Sequence, residues 1–189
     1  MSGKRKAKSY AKRAVSSNDE KILRKALKKR EKEYESDNKF KNSPYKWLKN
    51  CPSGRKGKIA EDLILEWCAV KKLRRERGDK KNYDLLIENK RVEVKLSFLW
   101  ETGIFKFQQI RNKQKYQYCL CLGVSPDEIS AWLIPKNELR RNRPGLKPQH
   151  GGKKGVDTKW LSFSPGDSPK WLDKYGDDLS AVQRLLKKR

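Results

Sequence analysis

The sequence has one histidine, His150, and one methionine among 189 residues. Its four cysteines, Cys51, Cys68, Cys119 and Cys121, include no C-x-x-C pair. These shortages argue against a structural zinc site, which gathers four Cys or His ligands at short spacings. Cys119 and Cys121 stand two apart on a strand-like run, so they share a face and read as buried thiols in a reducing setting. No apolar run approaches the ~20 residues of a membrane helix. The basic N-terminus is not followed by the apolar stretch of a signal peptide. With no export signal visible, the expected setting is cytoplasmic and nucleoid-associated, with no membrane partner.

Acidic residues are also few: 23 Asp and Glu against 48 Lys and Arg, a formal net charge of +25. A field of that sign attracts polyanions. Neutralising phosphates releases their counterions, so DNA is the expected partner. The plain alternative is a solvated basic surface.

Residues 1–50 differ from the rest. "MSGKRKAKSYAKRAVSS" has little to bury and is expected to be a disordered arm. "SNDEKILRKALKKREKEYE" reads as a helix, with Ser17 and Glu20 spaced as a capping box and a narrow stripe of Ile22, Leu23, Ala26 and Leu27. A two-proline connector leads to a domain over 51–189. That domain opens with a helix, "GKIAEDLILEWCAVKKLRR", ending near Arg77-Gly78-Asp79. Ile59, Leu63, Trp67 and Val70 form its core side, and Glu61 falls inside its apolar arc, between Cys68 and Leu65. A carboxylate there needs solvent, a partner or an ion.

Four strand-like runs follow: "YDLLIE", "RVEVKLSF", "GIFKF" and "YCLCLGV", with "SAWLIP" as a fifth. The first three are expected to form a meander, and "QQIRNKQKY" a helix before the fourth. The fold class is thus mixed α/β, a central sheet flanked by helices. From Asn137 to Asp157 the chain is basic, glycine-rich and without apolar periodicity, a candidate recognition loop. Arg140, Arg141, Arg143, Lys147, Gln149, His150, Lys153 and Lys154 are its candidate DNA contacts. "TKWLSF" reads as a further strand, and "SPKWLDKYG" and "DDLSAVQRLLKKR" as closing helices. Trp67 and Trp132 fall on core positions. Trp100 is expected to pack under the loop rather than to stack on a base.

The informative stretch is "NYDLLIENKRVEVKLS". With Asn89 and Lys90 as the turn, Asp84 pairs with Lys95 and Leu86 with Glu93, so Asp84, Glu93 and Lys95 share one face. Two carboxylates on one face suit a hard cation such as Mg²⁺, and a lysine beside them can act on a water or a phosphate. A solvent-facing charge ladder is the plain alternative.

Glu61 on a helix, Asp84, the "EVK" of Glu93 to Lys95, and the "FKFQQIR" glutamines together resemble the PD-(D/E)xK nuclease superfamily, over roughly Gly54 to Val124. Tyr83 stands where that motif carries proline. The resemblance implies a restriction-endonuclease-like αβββαβ core. It implies Asp84, Glu93 and the Val94 backbone carbonyl as ligands of Mg²⁺, with Mn²⁺ as a substitute. Lys95 would act on the attacking water, and Glu61 would hold a bound water or a second ion. Gln109, with Gln108 as the alternative, would position Lys95 or a phosphate. The implied activity is that of a small, homodimeric type II restriction endonuclease. Its competitors are a structure-selective junction or repair nuclease and a non-catalytic DNA-binding protein on the same fold.

Deleting residues 1–16 is expected to weaken DNA binding most at low salt and to flatten the dependence of log affinity on log salt. Anisotropy titrations across a salt series measure this, and an unchanged slope would remove the arm from the DNA contacts.

Overall fold

The structure, a computed structural model, describes residues 18–79, 81–149 and 158–188. The chain packs as two units that divide between Lys41 and Asn42. In the first, α1 (Asn18–Asp37) carries Ile22, Leu23 and Leu27 exposed at 58%, 62% and 66%. The basic arm and Ser17 lie outside the described residues.

The second unit begins with α2 (Lys46–Asn50) and α3 (Ser53–Val70). Six strands follow: β1 (Arg75–Arg77), β2 (Leu85–Ile87), β3 (Lys90–Phe98), β4 (Phe105–Arg111), β5 (Tyr118–Val124) and β6 (Ile129–Pro135). Then come α4 (Lys136–Arg140), β7 (Leu146–Pro148), β8 (Thr158–Phe163), a 3-10 turn at Asp173–Tyr175, β9 (Gly176–Asp177) and α5 (Leu179–Lys187). Among the described residues no helix is long and apolar enough to cross a membrane.

The main sheet runs β1-β2-β3-β5-β6-β9 and is mixed: β3 and β5 are parallel, and the other neighbours antiparallel. Helices α3 and α5 cover one face, where Ile64, Cys68, Val182 and Leu186 join Ile87, Val92 and Leu120 in a core. A three-stranded sheet, β4-β8-β7, covers the other. Its Phe105, Phe107 and Phe163 pack with Cys119, Cys121 and Trp132 of the main sheet. Trp132 and Phe163 meet edge to face, ring centroids 5.0 Å apart. The expected mixed sheet flanked by helices is present, with a second sheet as a third layer.

Several expectations are corrected. Helix α3 ends at Val70 rather than near Arg77. Lys72 adopts a left-handed φ of 55°, the Leu73 N–H bonds to the Cys68 carbonyl at 2.9 Å and the Lys72 N–H to that of Ala69 at 3.1 Å. This is a Schellman ending built on lysine instead of glycine, with Leu73 buried as its apolar plug. It frees Arg75–Arg77 to form β1. The core side of α3 is Ala60, Ile64 and Cys68, while Leu63 is 36% and Val70 79% exposed. The small Ala60 and Cys68 side chains let the helix lie close on the sheet.

The meander stops at β3, because β4 leaves for the second sheet. The expected helix over Gln108 to Tyr116 is absent. Gln108 to Arg111 continue β4, and Asn112 to Gln117 are irregular. Within 137–157 the described residues include α4 and β7, anchored by buried Leu139 and Leu146. "SPKWLDKYG" holds a 3-10 turn rather than a helix, and α5 forms as expected, with the Asp178 carboxylate accepting from the Ala181 N–H.

Gly123 on β5 faces the ring of Phe105, and a Cβ there would stand 2.7 Å from it. Phe105 has no room to yield, with Trp132, Phe107 and Phe163 around it. Gly123→Ala is expected to cost about 1–3 kcal/mol in urea unfolding, as overpacked cores do. Gly166→Ala, where a Cβ meets nothing within 4 Å, is the control and should be near neutral.

Candidate active site

Strands β2 and β3 pair with Leu85 opposite Val92, Leu86 opposite Arg91 and Ile87 opposite Lys90. The turn is centred on Glu88 and Asn89, with the positive φ pair (47° and 63°) of a type I′ hairpin, one residue earlier than expected. Asparagine tolerates that conformation. Glu88 is held in it by Arg74, whose N–H bonds to the Glu88 carboxylate at 2.6 Å and whose carbonyl accepts from the Glu88 N–H at 3.0 Å. Every expected pair therefore shifts by two residues. A shift of two leaves each side chain on its expected face, but Asp84 now falls beside Glu93 rather than Lys95.

Val92 and Val94 point into the helix-side core, so alternation sends Glu93 and Lys95 to the opposite face. There they neighbour Cys119 and Cys121, their partners on β5. Glu93 is only 3% exposed. Its Oε1 accepts from Lys95 Nζ at 2.6 Å, and its buried Oε2 has no hydrogen-bond partner. Burial pushes the Glu93 carboxyl above the usual range; the Lys95 ammonium pulls it back, and the Asp84 charge pushes it further up. Burial opposes the charge on Lys95, but the adjoining Glu93 carboxylate outweighs it and holds that pKa above its ordinary value.

Asp84 closes the group. Its Oδ2 accepts from the Val94 N–H at 2.8 Å, which ties it across the hairpin. Glu61 approaches from α3, where burial raises its carboxyl and the Asp84 charge adds to that. Arg77 lies 3.6 Å from Glu61 and also bonds to Asp62. It sits on β1, a strand that sequence reasoning placed at a helix end.

Gln109 occupies a β-bulge between Phe107 and Ile110, with φ 55°. It is exposed, and its N–H donates to Gln149 Oε1 at 2.7 Å. It begins no helix, and the hydrogen bond of the Lys95 ammonium is to Glu93. Three further groups beside the carboxylates went unforeseen. Tyr116 is buried with an unpartnered hydroxyl, and burial, then Cys119 and Glu93, push its pKa up. Lys136 Nζ lies 4.7 Å over the Tyr116 ring. Arg111 is close enough for its charge to favour ionised Glu93. The expected helix over 108–116 hid this neighbourhood; the polar run "RNKQKY" between two strands was the available signal.

Of the candidate DNA contacts, Arg140, Arg141 and Lys147 are exposed. Arg141 stands 3.2 Å from Glu138. Arg143 donates to Glu138 through Nε at 2.9 Å and lies over the Trp171 ring. His150, Lys153 and Lys154 lie outside the described residues. Trp132 is buried and Trp67 packs against the helix-side core, as expected. Trp100 is 46% exposed, and part of the loop it was expected to pack under lies outside the described residues.

Two observations bear on a cation. The unpartnered, buried Oε2 of Glu93 beside Asp84 gives a hard-oxygen donor set suited to Mg²⁺. Among the described residues, however, no three His, Cys, Asp or Glu side chains gather into one chelating group. Glu61 is thus not drawn together with Asp84 and Glu93 around a single point.

No protein-family model matches the chain, and no curated protein matches it. Among solved structures it is similar to a bacterial homing endonuclease, I-Ssp6803I, at 16% identity and a TM-score of 0.46, over 72% of this chain and 92% of that one. Similarity of that size assigns neither family nor activity.

Lys95→Met would leave Glu93 buried and unpaired, with its carboxyl pushed further above the unfolded value near 4.3. The folded state then holds a proton that the unfolded state has released, so the variant's stability falls as pH rises through that window. The penalty should approach about 3–5 kcal/mol in urea unfolding near pH 8 and shrink near pH 5. Equal penalties at both would show that Lys95 does not stabilise the Glu93 charge.

Proposed function

We propose that the chain is a Mg²⁺-dependent DNA endonuclease of the PD-(D/E)xK kind. The observation that carries this reading is the buried Glu93–Lys95 pair, with its unpartnered carboxylate oxygen, set beside Asp84. An ion pair of that kind is a weak way to stabilise a fold, and a carboxylate oxygen buried without a partner is costly. A cation site accounts for both.

In this reading Asp84, Glu93 and the Val94 carbonyl hold Mg²⁺, or Mn²⁺ in its place. When bound, the ion supplies electrophilic pull on a phosphate oxygen and acidity to a water. Lys95 orients that water and offsets charge growing on the phosphate. Glu61 accepts from a water on the outer side, with Arg77 3.6 Å from its carboxylate. The excess of basic charge, +25, holds the DNA backbone against the carboxylates. One such site cuts one strand, so matched cuts take two copies.

Sequence-specific cutting was the leading expectation, but one observation favours the structure-selective reading. Of the three arginines expected to read guanine edges, Arg141 and Arg143 pair with Glu138, and Arg140 is exposed with no ion pair among the described residues. Both readings share the same chemistry and differ in whether fragment ends on long DNA are defined.

Purified protein with supercoiled plasmid should cut with Mg²⁺ and not with chelator. Asp84→Ala and Lys95→Ala should each abolish cutting while DNA affinity changes less than about threefold, since neither supplies much phosphate contact. The rate should rise with pH along a limb displaced above the ordinary carboxylate range, because protonated Glu93 cannot bind a cation. Substantial cutting by either variant, or cutting in chelator, would exclude the assignment.

A further inference from the structure

Strand β3 leaves the carboxylates and ends at Phe98. Trp100 stands five residues beyond Lys95, at most about 17 Å along the chain at ~3.3 Å per residue, and there the chain turns into β4. The turn is fixed at both ends: the Trp100 N–H donates to the Ile104 carbonyl at 3.0 Å and the Gly103 N–H to the Trp100 carbonyl at 2.9 Å. Gly103 has the φ of 76° that this geometry needs. The backbone is tied, yet the indole remains 46% exposed.

A lysine lies against that ring. Lys106 Nζ is 5.2 Å from the centroid of Trp100 and 3.7 Å from that of Trp160, so it bridges two indoles. Lys147 lies opposite Trp160 on β7, on the same outward face. Alongside is a cleft of about 430 Å³ bounded by Lys49, Lys56, Trp100 and Glu101, where Lys56 Nζ sits 5.1 Å over the Phe98 ring. Exposed aromatic faces alternating with ammonium groups suit a chain that itself alternates π-faces with phosphates. Paired bases inside a duplex do not offer those faces.

We propose that the Trp100–Lys106–Trp160 face is a docking site for unpaired nucleotides of a DNA strand, with a base stacked on Trp100 and its flanking phosphates on Lys106 and Lys56. It takes DNA as the polymer from the nuclease reading above and adds the substrate class: duplex carrying a single-stranded tail or gap near the cut. The five residues from Lys95 to Trp100 span at most about 17 Å, or about five base steps at 3.4 Å each along one strand, so one strand is long enough to reach both places.

The test is equilibrium binding by anisotropy in chelator, where no cutting occurs. The probes are a blunt hairpin duplex, the same duplex with a short single-stranded tail, and that tail made abasic. The wild-type chain should prefer the tailed duplex and treat the abasic tail as blunt. Trp100→Ala should lose about tenfold on the tailed duplex and little on the blunt one, as loss of one stacked base predicts. Trp100→Phe, which keeps a π-face, should retain most of the preference. No tail preference in the wild-type chain, equal losses on both duplexes, or a phenylalanine variant as weak as the alanine one would overturn the proposal while leaving the nuclease reading to its own cutting assay. Failure to bind any of the probes would overturn both.

Discussion

The Glu93–Lys95 ion pair is the constraint around which the rest of the second unit is organised. Its two charges are taken out of water on a strand in the middle of the main sheet, between β2 and β5. Desolvation costs several kcal/mol per ion, and their attraction repays it only when the remaining oxygens and protons are satisfied. Here one carboxylate oxygen is left over. Alternation makes the arrangement unavoidable once the helix-side core is set: Val92 and Val94 must face α3 and α5, so Glu93 and Lys95 must face the other way.

That other side would be open water without the second sheet. β4 departs from the main sheet after the Trp100 turn, and the aromatic packing of Phe105, Phe107 and Phe163 on Trp132 clamps it there. Ser97 helps seal the corner, its hydroxyl accepting from the Lys106 N–H at 2.8 Å. The same departure buries Tyr116 and presents Lys106 and Trp160 outward. A single topological choice, taking the third strand-like run out of the meander, thus desolvates the carboxylates and creates the aromatic face beyond them.

Much of this was legible in residue order, and the losses have identifiable causes. The strict alternation of β3 exposed the shared face of Glu93 and Lys95, and it survived a misplaced turn because the slip was even. The turn was misplaced because Glu88 takes a left-handed conformation that Arg74, just before β1, supports through a long-range bond with no local signature. β1 was missed because the end of α3 uses Lys72 where a glycine would have announced it. The run from Gln108 to Tyr116 looked helical on length alone. Its first residues were drawn into β4 instead by pairing with β8, 47 residues away between Arg111 and Thr158. The neighbours Arg111, Tyr116 and Lys136 were invisible for the same reason.

The distribution of basic charge deserves a different reading from its total. Glu138 is buried; burial would push its carboxyl up, but bonds from Arg143 and the charge of Arg141 hold it below the usual range. A carboxylate whose folded pKa is depressed stabilises the fold above its unfolded value and loses that contribution as pH falls. The two arginines are therefore spent on building the α4 corner, and they are poorly placed to read base edges while Glu138 is ionised. Lys56, Lys106 and Lys147, by contrast, lie beside aromatic rings or on the open face of the second sheet. Lysine is a point charge that meets phosphate without reading sequence, whereas arginine's planar fork is the sequence reader. In the proposed nuclease the outward lysines beside the second sheet would suit the shape and state of a strand, while Arg140 stays exposed as a fork able to meet base edges.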